Sequence, residues 1–143
     1  MIEPYRHLSE IEDLVARFED CSLPCGEWTH RAHLAVGLWF VARHPPAAAL
    51  DRVRGAIQRY NAACGTPNTA TRGYHETLTR FYVWLIGKYL ADVADRADWL
   101  VVTNGLLARH GDRDAPLSYY TREVLMSAEA RAGWVPPNVR ALD

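Results

Sequence analysis

The chain has 143 residues, of which 49% are hydrophobic and 23% charged, with a formal net charge of −1 at pH 7. That is the size and balance of one soluble domain with a core of its own, residues 1–143. The longest uncharged apolar run, 34–42, falls well short of the roughly 18 to 20 residues that cross a bilayer, and no like-charge run of five occurs. Neither a membrane nor a nucleic acid is therefore expected as a partner.

Helical periodicity runs through the sequence and no stretch alternates in the manner of a strand, which predicts an all-α single-domain bundle of five to six helices with an extended C-terminal tail. The first helix carries Leu8, Ile11, Leu14, Val15 and Phe18 at steps of three and four and ends near Asp20. Ser9 caps it, or Pro4 opens an earlier turn. After the break at 22–26, a second helix is predicted over residues 27–43, stopped by His44-Pro45-Pro46. A third spans 46 or 47 to 64, with Leu50, Val53, Ile57 and Tyr60 as its stripe and Gly65 closing it. The small and polar residues 65–73 form a loop longer than most helix connections, of the kind that covers a site. A fourth helix is predicted over 74–91 and a fifth over 95–110. Residues 118–132 read as one helix or two short ones, and the tail from Gly133 is expected to pack back on the domain.

The second helix is apolar nearly all round, the pattern of a helix buried among its neighbours. Yet Glu27, His30 and His33 fall within about 120° of its arc, with Gly37 a turn further on leaving room beside them. Buried imidazoles need partners. A lone core histidine is ordinarily hydrogen-bonded to a neighbour, but two on one face beside a carboxylate have the i, i+3 spacing of carboxylate-bridged bundle metal sites. The fourth helix opens with Tyr74-His75-Glu76, placing His75 at the edge of its apolar stripe. Glu76 fits either a helix N-terminus that favours an acid or a proton acceptor. Together, His30, His33 and His75 are expected to supply three nitrogens to a transition metal ion (zinc, iron, nickel or copper), with Glu27 or Glu76 as catalytic carboxylate. Tyr60, Asn61, Arg72 and Tyr74 are the expected substrate contacts.

Cys21, Cys25 and Cys64 are an odd number and are read as free, reduced thiols, since a domain with this much core has no need of staples. The first residues contain no basic stretch leading into an apolar one, so a secretory signal is not expected and a cytoplasmic setting is. Five tryptophans leave room for an apolar patch and hence for a homodimer. The strings Glu27-Trp28-Thr29-His30-Arg31-Ala32-His33-Leu34, Tyr74-His75-Glu76-Thr77-Leu78-Thr79 and Ser127-Ala128-Glu129-Ala130-Arg131 with Gly133-Trp134 resemble a family of small bacterial all-α proteins of unknown function. The resemblance covers most of the chain and implies a stand-alone bacterial protein. It implies no catalytic role. The leading expectation is a metal-dependent enzyme acting on a small molecule. The alternatives are a non-catalytic small-ligand or partner-binding protein with a buried His/Glu network, and a metal-free enzyme pairing His75 with a glutamate.

Overall fold

A helix that is apolar on every side needs neighbours on every side. The computed structural model, which describes residues 2–143, surrounds the second helix in this way. The described residues contain no strand and form seven α-helices: α1 Leu8–Glu19, α2 His30–Arg43, α3 Pro46–Ala63, α4 Glu76–Asp92, α5 Trp99–His110, α6 Arg122–Leu125 and α7 Ala128–Ala132. Short 3₁₀ turns lie at Cys25–Glu27 and Ala115–Ser118. The central α2 touches α1, α3, α4 and α5 and buries Leu34, Ala35, Val36, Leu38 and Phe40 among them. Ile11, Leu14, Val15 and Phe18 of α1, Val53, Ala56 and Tyr60 of α3, and Val102, Leu106 and Leu107 of α5 complete this main core. A second cluster, Phe81, Leu85, Tyr120 and Leu125, joins the outer side of α4 to the C-terminal segment.

Periodicity located the helices, and caps decide where they start. Thr29 Oγ1 accepts the Ala32 N–H at 3.3 Å, so α2 begins at His30 and Glu27 is left outside it. His75 Nδ1 accepts the Leu78 N–H at 3.1 Å, so α4 begins at Glu76 and His75 is its N-cap rather than a residue of its face. Asp98 does the same for α5 through the Val101 N–H. At α1 neither Ser9 nor Pro4 caps. Glu10 Oε1 reaches back to the Arg6 and His7 N–H groups at 2.8 and 2.9 Å, which fixes the start one turn before the carboxylate.

Beyond α5 the chain makes two short helices, each opened by a hydroxyl cap, Thr121 to Val124 N–H and Ser127 to Ala130 N–H. The tail packs back as expected: the Tyr120 hydroxyl donates to the Val135 carbonyl at 2.6 Å, and Thr77 Oγ1 donates to Gly133 O while accepting from Val135 N–H. No helix among the described residues is long and apolar enough to cross a membrane.

The thiols depart from expectation. Cys25 and Cys64 form a disulfide with Cα atoms 6.0 Å apart, and only Cys21 is free. Cys64 is the C-cap of α3 and Cys25 opens the turn before α2. The antiparallel packing of α2 on α3 brings these two ends together, a proximity that sequence spacing does not express. The bond closes a loop with a sequence separation of 39, for which loss of chain entropy in the unfolded state is worth about 4 kcal/mol. Cys64→Ser is expected to lower the unfolding free energy from urea titration by up to that amount, and reductant should bring the wild type down to the variant's value while leaving the variant unchanged.

Candidate functional site

At Gly37 the α2 backbone approaches α4 so closely that an added Cβ would lie 3.0 Å from Ile86 Cδ1. One and two turns earlier the residues of α2 are His33, His30 and Thr29, and the space before them is a cavity of about 680 Å³. Its walls are the first turns of α2 and α4, the C-terminal half of α3, the two loops 65–74 and 111–117, and α6 with α7. Leu34, Val53, Ile57, Leu78 and Ile86 make its lining largely apolar. The volume lies in the range of small-molecule sites.

His33 is the best-positioned polar group in the wall. Its ring lies on Trp28, centroids 3.9 Å apart, and Trp28 in turn stacks on the buried Phe18 at 4.4 Å. Nδ1 is 2.7 Å from the Thr29 carbonyl. A nitrogen facing a carbonyl must carry the proton, so Nε2 holds the lone pair, and it has no partner among the described residues. His33 is nonetheless exposed to water, which screens the downward push that the surrounding protein atoms and, less, His30 and Arg113 exert on its pKa. His30 is fixed in the opposite tautomer: Nε2 donates to the Gly111 carbonyl at 3.0 Å, leaving Nδ1 as acceptor. Burial lowers its pKa too. Tyr82 stands edge-on to the His30 ring, and burial pushes its phenol up to about 12, so it stays a neutral donor.

The three-histidine metal site is not assembled. His75 spends Nδ1 on the Leu78 N–H and Nε2, as donor, on the Leu125 carbonyl at 2.7 Å. It lines the cavity with no nitrogen left to give. Among the described residues no group of three His, Cys, Asp or Glu is disposed to hold a metal ion. Glu27 is not where the i, i+3 spacing put it, and Glu76, at the start of α4 as expected, is tied up by neighbours. Glu27 lies in the 3₁₀ turn, largely exposed, 3.6 Å from Arg17. Glu76 is gripped by Arg54 through two bonds of 2.8 and 2.6 Å and accepts the Tyr74 hydroxyl at 2.7 Å. Arg54 first, then Tyr74, hold its carboxyl below the usual range, which stabilises the anion and makes it a poor base.

Of the four expected substrate contacts, Asn61 and Tyr74 line the cavity. Tyr60 belongs to the core, 1% exposed, its hydroxyl donating to the Leu23 carbonyl at 2.7 Å. Arg72 sits exposed on the loop, outside the lining. The loop turns there because Gly73 adopts φ +94°, where a Cβ would run into Pro67 and Asn68. Sequence reasoning missed Arg113, Arg122 and Arg131, all in the wall. No local signal singles them out: none has a carboxylate three or four residues away, but Arg43, Arg52 and Arg59, outside the wall, share that lack.

No protein-family model, curated protein or solved structure matches the chain.

The His75 geometry makes a prediction about stability. Its folded-state pKa is lowered, chiefly by burial, so protons favour the unfolded chain. Its contribution is complete above the ordinary value of about 6.5 and is lost as pH falls toward the depressed one. His75→Ala should cost about 1 to 3 kcal/mol at pH 7.5, through the lost cap and the orphaned Leu125 carbonyl. It should also flatten the fall in thermal midpoint between pH 6.5 and 5, measured by calorimetry against the wild type.

Proposed function

We propose that the cavity binds a small, largely apolar molecule and that His33 acts on it as a general base, so that the protein is an enzyme of proton-transfer or hydrolytic type. The observation that carries this reading is the unpartnered Nε2 of His33, held neutral and fixed in direction. Thr29 O sets the tautomer and Trp28 sets the ring plane. A base must be unprotonated and oriented before substrate arrives, and an apolar cavity meets the first condition as the carbonyl meets the second. Tyr82, protonated across the physiological range, supplies a donor in the same wall. The cytoplasmic setting and bacterial origin suggested by the sequence belong to this proposal. In the cytoplasm the Cys25–Cys64 bond would face a reducing thiol pool, since lasting disulfides belong to oxidising compartments.

The metal-dependent alternative retains two possible donors, His30 Nδ1 and His33 Nε2, and lacks its third imidazole. Elemental analysis of untagged protein separates the two. Stoichiometric metal lost on His30→Ala would replace the base reading with a metal one.

The base itself is tested with 5-nitrobenzisoxazole, an apolar probe that opens when its ring C–H proton is removed and its N–O bond breaks. The wild type should accelerate this opening over buffer. The rate should rise with pH through a value below 6.5, because desolvation by the surrounding protein and, less, the charges of His30 and Arg113 disfavour its protonation. His33→Gln should lose about 10²-fold or more of the rate, with the surface change His7→Gln leaving it intact. Equal rates in wild type and His33→Gln would overturn the assignment.

A further inference from the structure

Charge in this protein is nearly balanced overall, at −1, but not within the cavity. Three guanidinium groups, Arg113, Arg122 and Arg131, line it against the single carboxylate of Asp114, and the histidines beside them are biased toward their neutral forms. None of the three arginines has a carboxylate within 4.0 Å among the described residues, which is also true of most arginines of the chain; what sets these three apart is that they line one cavity. Arg131 is the most committed of them. It is half-buried, Nη1 donates to the Gly73 carbonyl at 3.0 Å, Nε is sealed away without a partner among the described residues, and Nη2 makes no hydrogen bond to them. An arginine cannot shed its charge. A permanent cation with a free Nη2 in a cavity wall is suited to an oxyanion.

Deepening the preceding section, and resting on its claim that the cavity binds a small molecule, we infer that Arg131, with Arg122 and Arg113, forms an oxyanion subsite, and that the ligand is an acid with an apolar body. The arginines lie on α7, α6 and the 111–117 loop, and the apolar lining on α2, α3 and α4. An amphipathic acid has its two halves divided in the same way. The first turns of α2 and α4 also face the cavity, and their positive dipole ends add to the guanidinium field. Arg131 takes the acid group through Nη2, while Arg122 and Arg113, both exposed, supply charge from the rim.

Calorimetric titration of the whole protein with 4-phenylbutyrate, 4-phenylbutanol and 4-phenylbutyl phosphate tests this directly. One of the two anions should bind about tenfold or more tighter than the alcohol, with a preference that shrinks in salt. The tighter anion identifies the acid class as carboxylate or phosphate. Arg131→Gln should bring the anions down to the level of the alcohol and leave the alcohol unchanged, and Arg131→Lys should restore part of the difference. Should Arg131→Gln unfold, the exposed double change Arg113→Gln with Arg122→Gln must still reduce the preference. Equal binding of all three probes to wild type would overturn the oxyanion subsite while leaving the cavity reading intact. Binding of none, together with no 5-nitrobenzisoxazole opening, would remove the cavity reading itself.

Discussion

Everything in this fold follows from the need to cover α2 on all sides. From Leu34 onward the helix offers no polar face, and four helices are required to shield it. Its first turn is different. Thr29, His30, Arg31 and His33 cannot be packed against aliphatic neighbours without stranding polar atoms, so the enclosure that seals the rest of α2 must stop there. The cavity lies where an apolar helix becomes polar within one turn. Helix packing supplies its floor, and the polar turn supplies its reactive groups.

The same position explains the state of the histidines. His30 and His33 stand in the first turn of α2 and His75 caps α4, which is where helix dipoles disfavour a positive charge. Burial acts in the same direction, strongly on His75 and less on His30, while His33 is exposed to water. Neutral imidazole has one donor and one acceptor, and each ring uses its donor on a backbone carbonyl: Gly111, Thr29 or Leu125. What separates them is the remaining acceptor. In His75 it is consumed by the Leu78 N–H, which makes that residue structural, while in His30 and His33 it is left to the cavity. Three histidines of similar placement thus divide into one cap and two acceptors through a single hydrogen bond.

That hydrogen bond also marks the limit of what the sequence discloses. Hydrophobic periodicity locates α1 to α5 because burial of Ile11, Leu38, Val53, Leu85 or Leu106 is what the period encodes. Caps are local side-chain bonds that interrupt the period, so α2 and α4 each begin two to three residues late relative to the pattern. That small displacement removes Glu27 from the row it was assigned to. The His30 and His33 pair survives it, because both remain on α2 in the same register. Tyr60 belongs to a stripe and proves to be core, as stripes usually are. The disulfide, the grip of Arg54 on Glu76 and the arrival of Arg131 beside Gly73 join elements 39, 22 and 58 residues apart, and no local pattern reports such meetings.

The body and the cavity wall are therefore held by different terms. In the body, residues such as Phe18, Ile11 and Leu106 are wholly buried, and truncating any of them costs about 2 to 5 kcal/mol. The wall is built from a loop and two helices of four and five residues. Apolar packing of Tyr120 and Leu125 on Phe81 and Leu85 anchors it to α4, and hydrogen bonds add to this: Thr77 to Gly133, His75 to Leu125 and Arg131 to Gly73. Each is worth about 1 kcal/mol net. The covalent bond between Cys25 and Cys64 lies on the opposite side, beside the α2 entry and the end of α3. One wall is thus clamped by a covalent bond and the other by apolar packing on α4 with separable hydrogen bonds. The three arginines sit on the second side and His33 on the first, so an acid bound between them would tie the two walls together.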